Sequence, residues 1–246
     1  MNKTRRSSLV RRSAAPVVAV LAALAVPGLA ACGSSSKQSA TPVTVFSLSA
    51  DPARDIPVTV PGHRVVLTAA QLRTALDSLF SNHVKLIAAL MHEVGAGSSD
   101  TGAAVHALAA NTQSLTDAIA VIYGIPAARA FAQLWEQHTQ FFIDYAQATR
   151  GHDGAAKKEA LSRLRDYQND FGNFVSTATA NGVGLLAVTN LLRGHVQDLT
   201  RYIDADVGGH TADAAQILVQ AVAHIRVIAH AMGDAIIAQH LNTVTP

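Results

Sequence analysis

Three histidines, each in the middle of an apolar helical stripe, constrain this chain more than any other feature. His83, His138 and His195 are separated by 55 and 57 residues. With the three aligned, position −4 is Leu79, Leu134 and Leu191, and position −3 is Phe80, Trp135 and Leu192. Position +4 is Ile87, Phe142 and Leu199, and position +7 is Leu90, Tyr145 and Tyr202. These offsets share one face of an α-helix, so each histidine is expected to point inward. A period this long holds two helices per repeat, which predicts tandem helical hairpins.

The rest of the chain divides accordingly. Thr68-Ala69-Ala70-Gln71 has the spacing of a capping box and predicts a first helix over 69–94. The stretch from Gly95 to Asp100 breaks that helix and caps the next, which carries Val105, Leu108, Thr112, Leu115, Ile119 and Ile122. Pro126 suits the first turn of a third helix. Gly151-His152-Asp153-Gly154 turns into a fourth, with Leu161, Leu164, Phe171 and Phe174. Asn181-Gly182 and Gly208-Gly209 introduce a fifth over 184–207 and a sixth over 212–241. The expected fold is all-α: an elongated six-helix bundle of three tandem αα-hairpins, one domain over 68–242, with the first, third and fifth helices parallel. Gly172 and Gly233 inside helices mark either a closely approaching neighbour or simple tolerance at about 1 kcal/mol each.

The N-terminal segment reads as an address. Met1–Arg12 is basic, and Val17–Val26 is an apolar run too short for a permanent bilayer span. Leu29-Ala30-Ala31-Cys32-Gly33 follows and resembles the lipobox of bacterial lipoproteins at all four of its positions. That resemblance implies a signal peptide over 1–31, cleavage before Cys32 and lipidation of its thiol. Each buried lipid methylene contributes about 0.8 kcal/mol, so several chains hold a protein at a membrane surface. The expected location is the outer face of the cytoplasmic membrane or the cell envelope. Thr4-Arg5-Arg6-Ser7-Ser8-Leu9 bears a faint likeness to a twin-arginine signal, and both export routes stay open. Residues 32–67 read as the lipidated cysteine and a tether. Pro52, Pro57 and Pro61 exclude a continuous helix there, while Val58-Thr59-Val60 and Val65-Val66-Leu67 suit extended pieces without an independent fold.

Charge adds an exclusion. Residues 1–31 contain five basic and no acidic side chains, so the remainder carries 14 basic against 17 acidic, a net of −3. A mildly acidic body has no electrostatic footprint for nucleic acid. Cys32 is the only cysteine, so no disulfide forms within one chain.

Chemistry rests on the histidines. If the hairpins share an axis, His83, His138 and His195 lie at similar depth. His224, on the stripe Ile217, Ala221, His224, Ile228 and Ala231, can join them. Converging neutral imidazoles suit zinc, copper or nickel. Asp144, Asp198 and Asp204 are candidate acceptors that fix the ring tautomers. The alternative is that the same histidines are core residues hydrogen bonded to neighbours or backbone. His92, His106, His210, His230 and His240 fall off the main stripes or near helix ends and read as solvated, as do the charges from Lys157 to Glu159 and around Arg163.

Several metal and catalytic patterns are absent from the sequence. Carboxylate di-metal bundles place Glu three residues before His, where this chain has Phe80, Trp135 and Leu192. A hemerythrin-like pattern wants an acid four residues after His, where Ile87, Phe142 and Leu199 stand. His92-Glu93 is not followed by the second histidine of a zinc-protease helix. No phosphate-binding loop, dinucleotide fingerprint or nucleophile elbow is present, and no enzymatic activity is expected.

The run Leu134-Trp135-x-x-His138-x-x-Phe141-Phe142-x-Asp144-Tyr145 is preceded by Ser114-Leu115-Thr116-Asp117-Ala118-Ile119 and Tyr123-Gly124. It resembles a helical region of secreted bacterial proteins, in some of which it follows a copper amine oxidase N-terminal-like domain. The resemblance covers about residues 69–241 and implies a secreted helical module, without amine oxidase activity. The expectation is therefore a lipid-anchored extracytoplasmic protein with a non-catalytic binding role. Its ligand would be a copper or zinc ion held by inward histidines. The alternative is a structural or protein-interaction module of the envelope.

Overall fold

The computed structural model describes residues 55–60 and 63–241. Two short strands, β1 (Asp55–Val60) and β2 (His63–Thr68), precede six helices. These are α1 (Ala69–Ala96), α2 (Gly102–Tyr123), α3 (Ile125–Arg150), α4 (Gly154–Ala178), α5 (Leu185–Val207) and α6 (Thr211–Leu241). Residues 1–54, which hold Cys32, the expected signal peptide and most of the expected tether, lie outside the described residues.

Local chemistry sets the helix ends. The Thr68 hydroxyl accepts from the Gln71 N–H at 3.2 Å, and the Gln71 carbonyl oxygen accepts from the Thr68 N–H at 2.9 Å, so the capping box forms in both directions. Gly97 ends α1 at φ 73°, a left-handed conformation that glycine adopts without Cβ strain, and its N–H reaches the carbonyls of Glu93 and Val94. Asp153 caps α4, accepting from Ala155 and Ala156 N–H at 3.0 Å each. The α2 start differs from expectation: its N-cap is Thr101, without a side-chain bond, so the Gly95–Asp100 stretch ends α1 but does not cap α2.

The six helices form one body. Each outer helix lies in the groove between two inner ones: α2 against α1 and α3, α4 against α3 and α5, α6 against α5 and α1. The inner helices α1, α3 and α5 also touch each other pairwise. Short turns between contacting neighbours make the chain run up and down, so the inner three are parallel. This is the three-hairpin bundle that the spacing predicts, with α6 closing the ring onto α1.

One core runs through it. Phe80, Trp135 and Leu192 are buried at the repeat position before each histidine, Ile87, Phe142 and Leu199 at the position after. Burying each such side chain contributes about 1.5–3 kcal/mol. Buried hydroxyls bond back into their own helices: Thr139 donates to the Trp135 carbonyl, Thr179 to Val175 and Thr200 to Val196. Longer polar bonds tie helices together. Asn111 donates to the Leu79 carbonyl at 3.1 Å and Tyr202 to that of Ala88 at 3.2 Å. Helix α6 is long and apolar enough to cross a membrane, yet half of its most apolar window is buried in the bundle, as suits a core helix.

Two expectations are refined. Gly172 is a close approach, since a Cβ there would sit 2.9 Å from Leu185 Cδ1 and from Thr189 Cγ2. Gly233 has room for a methyl group, whose neighbours begin at 3.5 Å. The two expected extended pieces pair with each other. β1 and β2 form an antiparallel hairpin with Asp55 opposite Thr68 and Val60 opposite His63, and β1 lies along α2 and α6. A hydrogen-bonded ladder satisfies backbone groups that isolated extended pieces would leave to water.

Candidate functional site

The parallel inner helices bring their equivalent positions to one level. His83, His138 and His195 are 0%, 1% and 4% exposed, on α1, α3 and α5 respectively. His83 Nε2 and His138 Nε2 meet at 3.1 Å. The single tryptophan packs over both, its ring 4.5 Å from that of His83 and 4.7 Å from that of His138, centroid to centroid. Phe131 stacks on Trp135 at 4.9 Å, centroid to centroid. Tyr167 of α4 stacks on His138 at 4.9 Å with the rings 16° apart. Phe142 presents an edge-on contact to both His138 (6.1 Å) and His195 (6.4 Å). The histidines thus sit in an aromatic, dry surround.

That surround keeps them neutral. Burial pushes His138 down to about 3, against a partial upward pull from the Trp135 and Leu134 carbonyls of the preceding turn. Burial also pushes His195 down to about 3, with repulsion from His138 and His224 adding to it. His83 is lowered well below the usual histidine value, first by burial and then by His138 and His195. At neutral pH each ring therefore has one N–H and one lone pair. Two Nε2 atoms at 3.1 Å either share one proton as N–H···N or turn both lone pairs on a common cation. The Nδ1 atoms of all three rings are buried without a hydrogen-bond partner, as is Trp135 Nε1.

The other candidates divide. His224 lies apart from the His83–His138 contact, on α6, with its side chain 29% exposed and its Nδ1 3.1 Å from Asp198 Oδ2. Its ring rests on Gly194, where a Cβ would fall 1.9 Å from Cε1. Of the three acids, Asp198 thus meets a candidate histidine. Asp144 instead accepts from Gln140 Nε2 at 2.8 Å, and Arg163 lies 3.7 Å away. Asp204 accepts from Tyr145 Oη and from Lys157 Nζ at 2.6 Å. Both belong to contacts between helices, since their positions along α3 and α5 carry them off the histidine face. Among the described residues no group of three or more His, Cys, Asp or Glu side chains is gathered as a metal would need it.

Sequence spacing did not reveal two features here. Tyr167 lies between Leu164 and Phe171 on the α4 stripe, a place that reads as core and gives no sign of the His138 ring above it. The fit of His224 onto Gly194 joins two helices and leaves no local pattern. Of the histidines read as solvated, His92, His106, His210 and His230 are exposed, although His92 pairs with Asp206 at 2.9 Å and His230 with Asp77 at 3.3 Å. Lys157 is no solvated charge: it reaches Asp204 and lies over the Tyr145 ring. A pocket of about 440 Å³ opens at the α5–α6 turn beside Arg201, Asp204, His210 and Asp213, away from the buried histidines.

No protein-family model matches the chain, and neither a curated protein nor a solved structure matches it.

Proposed function

We propose that this is a lipid-anchored extracytoplasmic protein with a non-catalytic binding role, whose ligand is one copper or zinc ion. His83 and His138 hold it through their Nε2 atoms, and His195 closes in as the third ligand. His224 with Asp198 stands beside this set, nearer the surface. The observation that carries the reading is the 3.1 Å separation of two Nε2 atoms on neutral, fully buried rings. Two nitrogens bonded to one ion at about 2.0–2.1 Å stand about 2.8–3.4 Å apart for ligand angles from 90° to tetrahedral. Support for the anchored location comes from Leu29-Ala30-Ala31-Cys32 and the basic and apolar runs before it.

A second reading has its own support: 3.1 Å is also an N–H···N hydrogen bond, and His195 is not yet in a ligand position. On that reading the histidines only pack the core, and the protein serves through its surface as a structural or interaction module. Thermal unfolding separates the two. A ligand bound only by the folded state raises its stability by about 2.7 kcal/mol at a hundredfold excess over Kd. Copper or zinc should raise the melting temperature of the wild type, and not of a folded His138→Ala variant. Equal responses, or none, would remove the metal reading. Cys32→Ser should move the protein from the membrane fraction to the soluble fraction; retention at the membrane would remove the lipid anchor.

A further inference from the structure

The buried cluster differs from most protein metal sites in one respect: it offers no anion. We infer that the ion it takes is monovalent Cu(I) in preference to divalent zinc, held by His83 and His138 with His195 as third ligand. This rests on the metal-binding reading above and sharpens it.

The electrostatics follow from burial. The cost of taking an ion from water into an apolar interior grows with the square of its charge, so a divalent ion costs about four times as much as a monovalent one. Zinc sites usually offset that cost with thiolates or carboxylates, or, where three histidines bind, with a water or hydroxide in the open fourth position. Among the described residues no thiolate or carboxylate is gathered with these rings, and their surround disfavours a hydroxide. The only cysteine is Cys32. Asp144, Asp198 and Asp204 are engaged with Gln140, His224 and the Tyr145–Lys157 pair. Rings only 0%, 1% and 4% exposed, under Trp135, Phe142 and Tyr167, leave a hydroxide poorly solvated.

Coordination number points the same way. Zinc in protein sites is almost always four-coordinate. Cu(I), a closed-shell d¹⁰ ion, is satisfied by two or three nitrogens. Two are already within 3.1 Å of each other, and a trigonal arrangement needs them only a few tenths of an ångström further apart, at about 3.5 Å. The aromatic lining suits a soft monovalent cation. Trp135 touches both ligand rings, 4.5 and 4.7 Å centroid to centroid, so a charge held between them lies close to its π system.

The test is a pair of anaerobic competition titrations on the full chain in detergent, stripped of metal. Cu(I), supplied as its acetonitrile complex, competes against bicinchoninate; zinc competes against a chromophoric chelator. The expected result is one equivalent of Cu(I) bound at least 100-fold more tightly than zinc. Fluorescence of the lone Trp135 should be quenched in step and level off at that equivalent. His138→Gln, and independently His83→Leu should one of them misfold, should lose both the binding and the quenching. Zinc bound as tightly as Cu(I) would overturn the inference and leave the metal reading standing. No binding of either ion would overturn both. Cu(I) binding that leaves Trp135 unquenched, or that survives both substitutions, would place the ion elsewhere and overturn the inference.

Discussion

His83 and His138, 55 residues apart in sequence, touch through Nε2 atoms 3.1 Å apart in the middle of the bundle. Helices α1 and α3 place them there by burying Phe80, Ile87, Trp135 and Phe142 on the same faces. A polar contact this deep fixes the register of one hairpin against the next, because a slip by one turn would leave two imidazoles unmatched among aromatic rings.

Acid sensitivity should be the first consequence. His138 and His195 sit near 3 in the folded protein, and His83 is also strongly lowered, against about 6.5 when unfolded. Below the unfolded value the unfolded chain binds more protons than the folded one. Stability is therefore complete above about pH 6.5 and falls as pH drops through the window toward 3. At pH 5 the loss is about 2 kcal/mol for each of His138 and His195. Melting curves with a chelator present, between pH 7.5 and 5, should show this drop. His195→Leu, which keeps the volume and removes a titrating ring, should shrink it by roughly a third. A pH slope unchanged by that substitution would contradict the assignment of neutral buried rings.

Tautomers give a finer check. With no metal bound, one ring of the His83–His138 pair should carry its proton on Nε2, donating across the 3.1 Å contact, and the other on Nδ1. Long-range ¹H–¹⁵N spectra report this directly. Binding a metal through both Nε2 atoms should bring both rings to the Nδ1–H form. A mixture of charged rings at neutral pH would be incompatible with this account.

Gly194→Ala tests the outer histidine. The new Cβ would fall 1.9 Å from His224 Cε1, so the ring must leave its seat and its Asp198 partner. Overpacking of this kind costs about 1–3 kcal/mol. A domain of this size loses about 2–4 °C of melting temperature per kcal/mol. Adding His224→Ala should restore most of that loss, a coupling that a double-mutant cycle measures. A neutral Gly194→Ala would mean that His224 does not rest there.

The fold was legible because the bundle repeats one rule three times. Each inner helix writes the same offsets around its histidine, and turns at Gly97, Pro126, Gly151 and Gly208 punctuate them. Burial of the histidines followed from that stripe. Their mutual distances did not, because the ring geometry depends on how far α1, α3 and α5 approach, and that is set by Trp135, Phe142 and the outer helices together. Asp144 and Asp204 looked equally eligible as ring acceptors. Asp144 is taken by a glutamine one turn away, an i,i+4 pairing that the sequence does carry, whereas Asp204 meets a tyrosine–lysine pair on α3 and α4 that no linear pattern relates to it. The strand pairing of residues 55–68 was hidden for a similar reason: prolines ruled out helix, but nothing local specified which extended piece would meet which.

The central claim is that the buried histidines hold a metal ion. Elemental analysis of the full chain, extracted in detergent without a histidine tag or chelator, tests it most directly. The account predicts about one equivalent of copper or zinc per chain, lost in a folded His138→Ala variant while Gly194→Ala retains it. A folded wild type that carries no copper or zinc and takes up none on exposure would contradict it and leave His83, His138 and His195 as residues of the core alone.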